Sequence, residues 1–356
     1  MDYPQRRKTT HLRISPVTAI VRRARAVLAV ERMKNLKIFC DTFLGEAPLK
    51  MLREGVAPHE LIFPAQMVNS PLAKSGPDPA FAEADIAFGQ PDLANIYQSK
   101  RLKWAHISSA GFTRYDTAEF RAFVAKHDIA VTNSTTVYAE ACAEHVFAFM
   151  LAQARHLPES LKARHANGTA DWLRLRHSSP LLKHQRVVIL GFGGIAIRLL
   201  EMLRPFHMNV VAYRRKARGD EGIPVITARE LPDALAEADH VINILPANAD
   251  SENFIAAERL QQMKPGAVFY NIGRGTTVNQ EDLAAALRSG HLGAAWLDVT
   301  EPEPLPLGHP LLNLPNCYIT PHVAGGHQGE PETIVGHFLE NFRRFVDEAP
   351  LLDRIM

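Results

Sequence analysis

The sequence predicts an α/β protein of two domains built on parallel sheets. Three observations lead there. The chain has 356 residues, more than one hydrophobic core usually organises. Short apolar runs alternate with stretches of helical composition, as strands and crossover helices do. A glycine-rich turn joins one such run, Val187-Val188-Ile189-Leu190, to the helical stretch after it.

In chain order, the first series of strands is expected at residues 36–41, 60–63, 85–88, 104–108 and 129–132, with helical segments such as 117–127 between them. Several of these runs lead into Gly, Ser or Asn, the residues of loops over a sheet edge. A longer helix is expected over 138–155. Its Val146, Phe147, Phe149, Met150 and Leu151 cover more than one face, which places it in a core or between subunits. Residues 156–185, with Pro158, Gly168, Pro180 and many charges, read as a connection between domains. A second series follows at 186–190, 208–213, 240–244, 267–271, 293–298 and 317–320, with helices over 195–203, 280–288 and 330–348.

The turn Gly191-Phe192-Gly193-Gly194-Ile195-Ala196 fits the pattern G-x-G-x-x-A. Gly191 permits the tight turn, Gly193 lets the backbone approach a pyrophosphate, and Ala196 lets the helix pack on the sheet. The helix N-terminus offers N–H groups and a positive dipole end to phosphates. With strand, turn, helix and second strand in order, the segment points to a dinucleotide. An acidic residue after the second strand would accept hydrogen bonds from a ribose 2′-OH. Here the sequence reads Ala212-Tyr213-Arg214-Arg215-Lys216, with three cations and no carboxylate. NADP(H) is therefore expected in preference to NAD(H).

Three charged side chains follow later strands: Arg274 in Asn271-Ile272-Gly273-Arg274-Gly275, Glu303 in Thr300-Glu301-Pro302-Glu303-Pro304, and His322 in Thr320-Pro321-His322-Val323. Ligands of open α/β sheets bind beyond the carboxyl ends of strands, where such positions converge. Reduction of a 2-oxo acid needs a cation for the carboxylate and carbonyl oxygen, and an acid for the developing alkoxide. Arg supplies the fork and His the proton, and a carboxylate beside the His favours its charged form.

These stretches resemble the D-isomer-specific 2-hydroxyacid dehydrogenases over about residues 104–326, and more weakly on both flanks. Besides the Gly191 turn and the three loops above, Ser108-Ser109-Ala110-Gly111-Phe112, Ala143-Glu144-His145, Met263-Lys264-Pro265-Gly266-Ala267 and Asp298-Val299 carry the resemblance. It implies a Rossmann dinucleotide-binding domain (141–321) inserted in a flavodoxin-like substrate domain (34–140 and 322–356), with the active site in the cleft between them. Residues 1–33 are then a basic extension outside the core. The resemblance implies that Arg274 binds the substrate carboxylate and polarises the carbonyl. His322 is the acid in reduction and the base in oxidation, and Glu303 is its hydrogen-bond partner. Backbone N–H groups around Ala110 and Gly111 grip the carboxylate, and Asp298 holds the nicotinamide carboxamide. Cofactor contacts are expected at Gly191, Phe192, Gly193, Gly194, Ile195, Arg214, Arg215, Pro246, Asp298 and Gly325.

Three positions depart from the family pattern: Ala196 where most members have Gly, Arg214 where NAD-using members have an acid, and Gly273 where many have Ala or Ser. Glu303 stands where formate dehydrogenases of the superfamily have Gln. With no regulatory domain after Met356, the long serine-regulated phosphoglycerate dehydrogenases are not expected. The expected activity is reduction of glyoxylate, hydroxypyruvate or a similar acid to the D-2-hydroxy acid. A phosphoglycerate or sugar-acid dehydrogenase with the same machinery, and a nucleotide-sensing corepressor-like binding protein, stay open. The resemblance and the apolar helix at 138–155 lead to an expected homodimer.

Composition narrows the class. Residues 1–36 hold nine Lys and Arg against Asp2 and Glu31, and the remainder holds 31 basic and 36 acidic residues. The body is mildly acidic and gives no electrostatic reason to bind nucleic acid or a membrane. The basic leader reads as a targeting segment, an inert arm, or the product of a start upstream of Met33. A cytoplasmic location is expected, or an organellar one if the leader is a signal. Cys40, Cys142 and Cys317 are scattered, without metal-ligand spacing. His309, His327 and His337 likewise lack ligand partners, so no metal is expected. His145 reads as packing at a hinge, Arg114 as a solvated loop charge, and Phe112, Tyr138, Trp172 and Trp296 as core or contact surface.

Overall fold

The computed structural model describes residues 35–67, 76–163, 167–219 and 221–356. The basic segment 1–33, with its readings, lies outside the described residues. The chain divides into two compact units. The first takes the described residues within Met1–Ser108, His127–Thr132 and Ile334–Met356; the second takes those within Ser109–Lys126 and Asn133–Thr333. No helix among the described residues is long and apolar enough to cross a membrane.

In the first unit, strands β1 (Lys37–Cys40), β2 (Glu60–Ile62), β3 (Ile86–Gly89), β4 (Trp104–Ile107) and β5 (Ala130–Thr132) pair in parallel in the order β2-β1-β3-β4-β5. That is the flavodoxin-like order. Helices α1 (Glu46–Val56) and α2 (Leu93–Gln98) follow β1 and β3. Every residue of β3 and β4 is buried, as parallel strands covered on both faces are. The C-terminal helix, Glu330–Val346, begins at the edge of the second unit. Within the first unit its Phe338 stacks on Phe88 and Trp104, with ring centroids 4.3 and 5.2 Å apart.

The second unit contains helices α3 (Ala118–Lys126), α4 (Thr135–Ala154), α5 (Leu157–Lys162) and α6 (Ala170–Ser178), and then the larger sheet. The sheet is built from β6 (Arg186–Leu190), β7 (Asn209–Tyr213), β8 (Val225–Ile226), β9 (His240–Asn243), β10 (Val268–Asn271), β11 (Ala294–Leu297) and β12 (Cys317–Ile319). Helices α7 (Gly194–Leu203), α8 (Leu231–Glu237), α9 (Ala257–Gln262) and α10 (Gln280–Arg288) connect them. All pairs are parallel, in the order β12-β11-β10-β9-β6-β7-β8. Strand order reverses between β6 and β9, so the loops leaving these two strands part and open a crevice at the carboxyl edge. Alternate residues of β6 serve opposite faces. Val188 and Leu190 join Leu235, Phe269 and Leu297, while Val187 and Ile189 join Tyr270, Trp296, and Val146 and Met150 of α4.

Three expectations change. Helix α4 starts at Thr135, three residues before the expected start, because Asn133 Oδ1 accepts from the Thr135 hydroxyl (3.0 Å) and holds the first turn. The β-branched Thr135, Thr136 and Val137 hide this start from a propensity reading. The described residues of 156–185 do not connect the units: they lie inside the second one and include α5 and α6. Thr169 caps α6 by accepting from the Trp172 N–H. The edge strand β8 was not foreseen, being only two residues long.

The buried His240 opens β9, with Nδ1 3.0 Å from the Tyr270 hydroxyl and Nε2 2.7 Å from Gln185 Oε1. Burial pulls its pKa down from 6.5 to about 4. The unfolded chain takes up this proton more readily than the folded one. The stability involved is present above pH 6.5 and is lost as pH falls from there towards 4, at about 1.4 kcal/mol per unit. Urea unfolding at about pH 7 and about pH 5 should show the native protein losing about 2 kcal/mol more than His240→Gln. Equal losses would remove this assignment.

Candidate active site

The site starts from polar residues that end apolar strands. Asn243 and Asn271 close β9 and β10, and each is at most 1% exposed. A buried amide must find partners. Asn243 Nδ2 donates to Asn271 Oδ1 (3.0 Å) and to the Thr277 hydroxyl (2.7 Å). Asn271 Nδ2 and the Thr277 hydroxyl both donate to the Arg274 carbonyl, at 3.1 and 2.6 Å. The backbone of Arg274 is thus held from inside the sheet. A Cβ on Gly273 would lie 2.7 Å from the Leu245 carbonyl oxygen, and one on Gly275 would collide with the Thr300 carbonyl. The Arg274 side chain donates from Nη1 to the Gly273 carbonyl (2.5 Å), and its Nη2 lies against Gly111, where any Cβ would collide with it. Burial pulls the Arg274 pKa below its ordinary value, while the Glu303 carboxylate opposes that shift.

His322 follows β12 in the left-handed region, with φ +52°. Its Nδ1 lies 2.8 Å from Glu303 Oε2, and Glu303 Oε1 accepts from the Thr300 N–H at 2.9 Å. The loop is tied to Asp298, which is 2% exposed. Asp298 Oδ1 accepts from the Thr320 hydroxyl (2.6 Å) and the Val323 N–H (2.9 Å), and Oδ2 from the Ala324 N–H (2.9 Å). The bonds of Asp298 therefore anchor the His322 loop. His145 joins this network: its Nε2 is 3.2 Å from the Thr320 hydroxyl, which accepts because its own proton goes to Asp298. Burial pulls the His145 pKa down, with Asp298 opposing. His145, read as packing, does pack edge-on against Phe149, with ring centroids 4.4 Å apart, and bonds the loop before His322 as well.

At the glycine turn, Gly191 has φ +99°, which a side chain would strain. Gly193 caps α7, whose first helical bond runs from the Ile197 N–H to the Gly193 carbonyl. The N–H groups of residues 194–196 precede that bond and have no acceptor within the helix. A Cβ on Gly193 would meet nothing within 4 Å, so the turn presents an open backbone face that a phosphate can approach. Tight helix packing falls on Gly194, whose Cβ would lie 3.4 Å from Ala139 and Thr135, and on the fully buried Ala196.

One cavity of about 200 Å³ brings Ala110, Gly111, Gly193, Gly194, Ile195, Pro246 and Arg274 together. A second, of about 700 Å³, is lined by Gly191, Phe192, Tyr213, Arg214, Arg215, Lys216, Ala217, Arg218, Leu245 and Pro246. These residues fit a dinucleotide phosphate chain with a charged ribose. Neither cavity is lined by Gly325, which packs on Tyr138, where a Cβ would stand 2.9 Å from the ring. The cations after β7 are also less bare than the run 212–216 suggested. Glu221 folds back on Arg214 (2.8 Å), and Asp250 pairs with Arg215. No group of His, Cys, Asp and Glu suited to a metal occurs among the described residues.

Residues 147–324 match the family described as D-isomer specific 2-hydroxyacid dehydrogenase, NAD binding domain. A glyoxylate/hydroxypyruvate reductase B of Serratia proteamaculans is 31% identical over 242 residues, 66% of this chain and 72% of that one. A glyoxylate reductase/hydroxypyruvate reductase of Mus musculus is 36% identical over 202 residues, 56% of this chain and 62% of that enzyme's length. Among solved structures, a D-isomer specific 2-hydroxyacid dehydrogenase of Xanthobacter autotrophicus in complex with NADPH and MES is 26% identical. It has a TM-score of 0.71 over 90% of this chain and 98% of that one.

Two glycine variants should behave oppositely. Gly275→Ala drives a methyl group into the Thr300 carbonyl and should cost about 2 kcal/mol or more, visible in the melting temperature. Gly193→Ala adds its methyl group in open space and should change stability by less than about 1 kcal/mol. Yet it narrows the approach to α7, and titration with NADPH should show about tenfold weaker binding. Equal stability of the two variants would contradict the packing described.

Proposed function

The chain belongs to the D-isomer specific 2-hydroxyacid dehydrogenases, oxidoreductases that use NAD(P), and from that premise we propose that it is an NADPH-preferring reductase of a small 2-oxo acid of the glyoxylate or hydroxypyruvate type. The observation that carries this reading is Arg274 in one cavity with the Gly193 turn, with the paired Glu303 and His322 on the loops after the next two strands. The names of the Serratia and mouse relatives support the substrate class. The cations along the second cavity support NADPH.

In this reading bound NADPH supplies the hydride for the substrate carbonyl carbon. Arg274 binds the substrate carboxylate and draws charge onto the carbonyl oxygen, and its partial burial strengthens both interactions. The backbone at Ala110 and Gly111 lines the same cavity and grips the carboxylate from the other side. Glu303 holds Nδ1–H of His322, which leaves Nε2 to give its proton to the alkoxide. The negative Glu303 offsets the charge of the ring in its acid form. In the reverse direction Nε2 takes the proton from the 2-hydroxyl group.

A panel of 2-oxo acids followed by NADPH absorbance should give turnover with glyoxylate or hydroxypyruvate. His322→Gln should lower kcat by about 10²–10⁴-fold while leaving NADPH affinity unchanged. Turnover with no acid of the panel would favour a nucleotide-sensing binding protein.

We also propose a homodimer. Helix α4, expected to supply the contact, spends its apolar faces in the core of the second unit. A better ground is the exposed apolar set on α5, α6 and the segment after them: Leu157, Leu161, Trp172, Leu173 and Leu181, of which Leu161 is 74% and Leu181 71% exposed. Exposed apolar side chains gathered in one stretch of chain, rather than scattered, favour an interaction surface. Sedimentation should give a dimer, and Leu161→Glu with Leu181→Glu should give a monomer. A native monomer at micromolar concentration would exclude the proposal.

A further inference from the structure

The segment between β7 and β8 contains a carboxylate that the proposed chemistry does not use. The Glu221 side chain is 3% exposed and the Arg214 side chain 18%. Glu221 Oε1 accepts from Arg214 Nη1 (2.8 Å) and from the Arg218 N–H (2.7 Å), and Oε2 accepts from the Gly219 N–H (2.8 Å). Those backbone donors, with Arg214, draw the Glu221 pKa down to about 2, so the group is ionised throughout the neutral range. Glu221 does not line the adjoining cavity, whereas Arg214, Arg215, Lys216 and Arg218 do.

This placement has a physical consequence. A carboxylate beside a phosphate pocket repels the ligand if it faces the pocket. Turned behind the loop, it orders the cations instead. An Arg carries five N–H donors in a rigid plane, so one bond to Glu221 restrains the guanidinium and leaves donors for a ligand. The two backbone bonds tie Arg218 and Gly219 to the same carboxylate, and with Arg214 they hold both ends of the stretch that presents Lys216 and Arg218. Ordering before binding removes part of the entropy that a long, mobile cation loses on meeting a phosphate.

We infer that Glu221 is a positioning residue for cofactor choice: it pre-orders Arg214 and the Lys216–Arg218 loop to take the 2′-phosphate of NADP(H). The inference rests on the NADPH preference proposed above.

Calorimetric titration with 2′,5′-ADP and with 5′-AMP separates the two statements without turnover. In Glu221→Gln, affinity for 2′,5′-ADP should fall about tenfold and affinity for 5′-AMP by less than about twofold. Glu221→Asp keeps the charge on a shorter arm and should fall between the two, which preserves the test if the Gln variant folds poorly. In turnover, KM for NADPH should rise, with KM for NADH and kcat at saturating NADPH unchanged. Equal weakening of both probes would mean a merely structural role and overturn the inference. Tighter 2′,5′-ADP binding in Glu221→Gln would also overturn it, since Glu221 would then be competing for Arg214. Loss of 2′,5′-ADP selectivity in Arg214→Gln but not in Glu221→Gln overturns the inference and leaves NADPH preference standing. A native protein that binds 5′-AMP as tightly as 2′,5′-ADP removes that preference, and the inference with it.

Discussion

Three polar side chains at the carboxyl ends of adjacent strands, Asn243, Asn271 and Asp298, hold the site together because all are shut off from water. An unpaired buried polar group costs about 1–3 kcal/mol. With apolar strands on either side, the partners within reach are the backbone and hydroxyl groups of the next loops. Asn271 and Thr277 take the Arg274 carbonyl, and Asp298 takes the N–H groups of Val323 and Ala324. The loops are therefore placed by the solvation needs of the sheet edge. Arg274 and His322 are displayed from backbone held at fixed points.

Close backbone contact does the remainder. Gly273 and Gly275 flank Arg274, and each touches the backbone of a neighbouring strand-end loop, at Leu245 and Thr300. Leu245 also lines both cavities. The loop that carries Arg274 and the one that borders the nucleotide crevice thus share a contact with no side chain between them. At Gly273 the backbone has closed over the space a methyl group would need. Gly111 repeats the pattern from the other side, with the Arg274 guanidinium lying where its Cβ would be.

Much of this could be read along the chain, and the reason is local. A buried parallel strand is a short apolar run, and a phosphate turn needs glycines at set offsets, so β6, the Gly191 turn and the start of α7 stand out together between Arg186 and Ala196. Arg274, Glu303 and His322 were legible because each follows such a run. What escaped depends on contacts between distant segments. The Asn243–Asn271–Thr277 cluster spans 34 residues, and its one local mark is an Asn ending an apolar run. His145 meets Thr320 across 175 positions. Glu221 lies only seven residues from Arg214, but a carboxylate in a polar loop looks the same whether it faces solvent or folds under the chain. Likewise, α5 and α6 lack a strong apolar stripe because much of their apolar surface stays exposed.

Two carboxylate–cation pairs mark the two ends of the site, and they differ in accessibility. Glu303 and His322 are 37% and 30% exposed, against 3% and 18% for Glu221 and Arg214. A half-exposed pair sits in a high effective dielectric, where its mutual attraction is weak and either partner is easily re-solvated. Under the proposed function, that suits a histidine whose proton would leave and return in every cycle. A shielded pair, tied in addition by two backbone N–H groups, is costly to break. Under the inference above, that suits a guanidinium that would change neither charge nor partner during the reaction. Under the proposed function, the end that would move a proton is the more exposed, and the end that would select a charge is the more shielded.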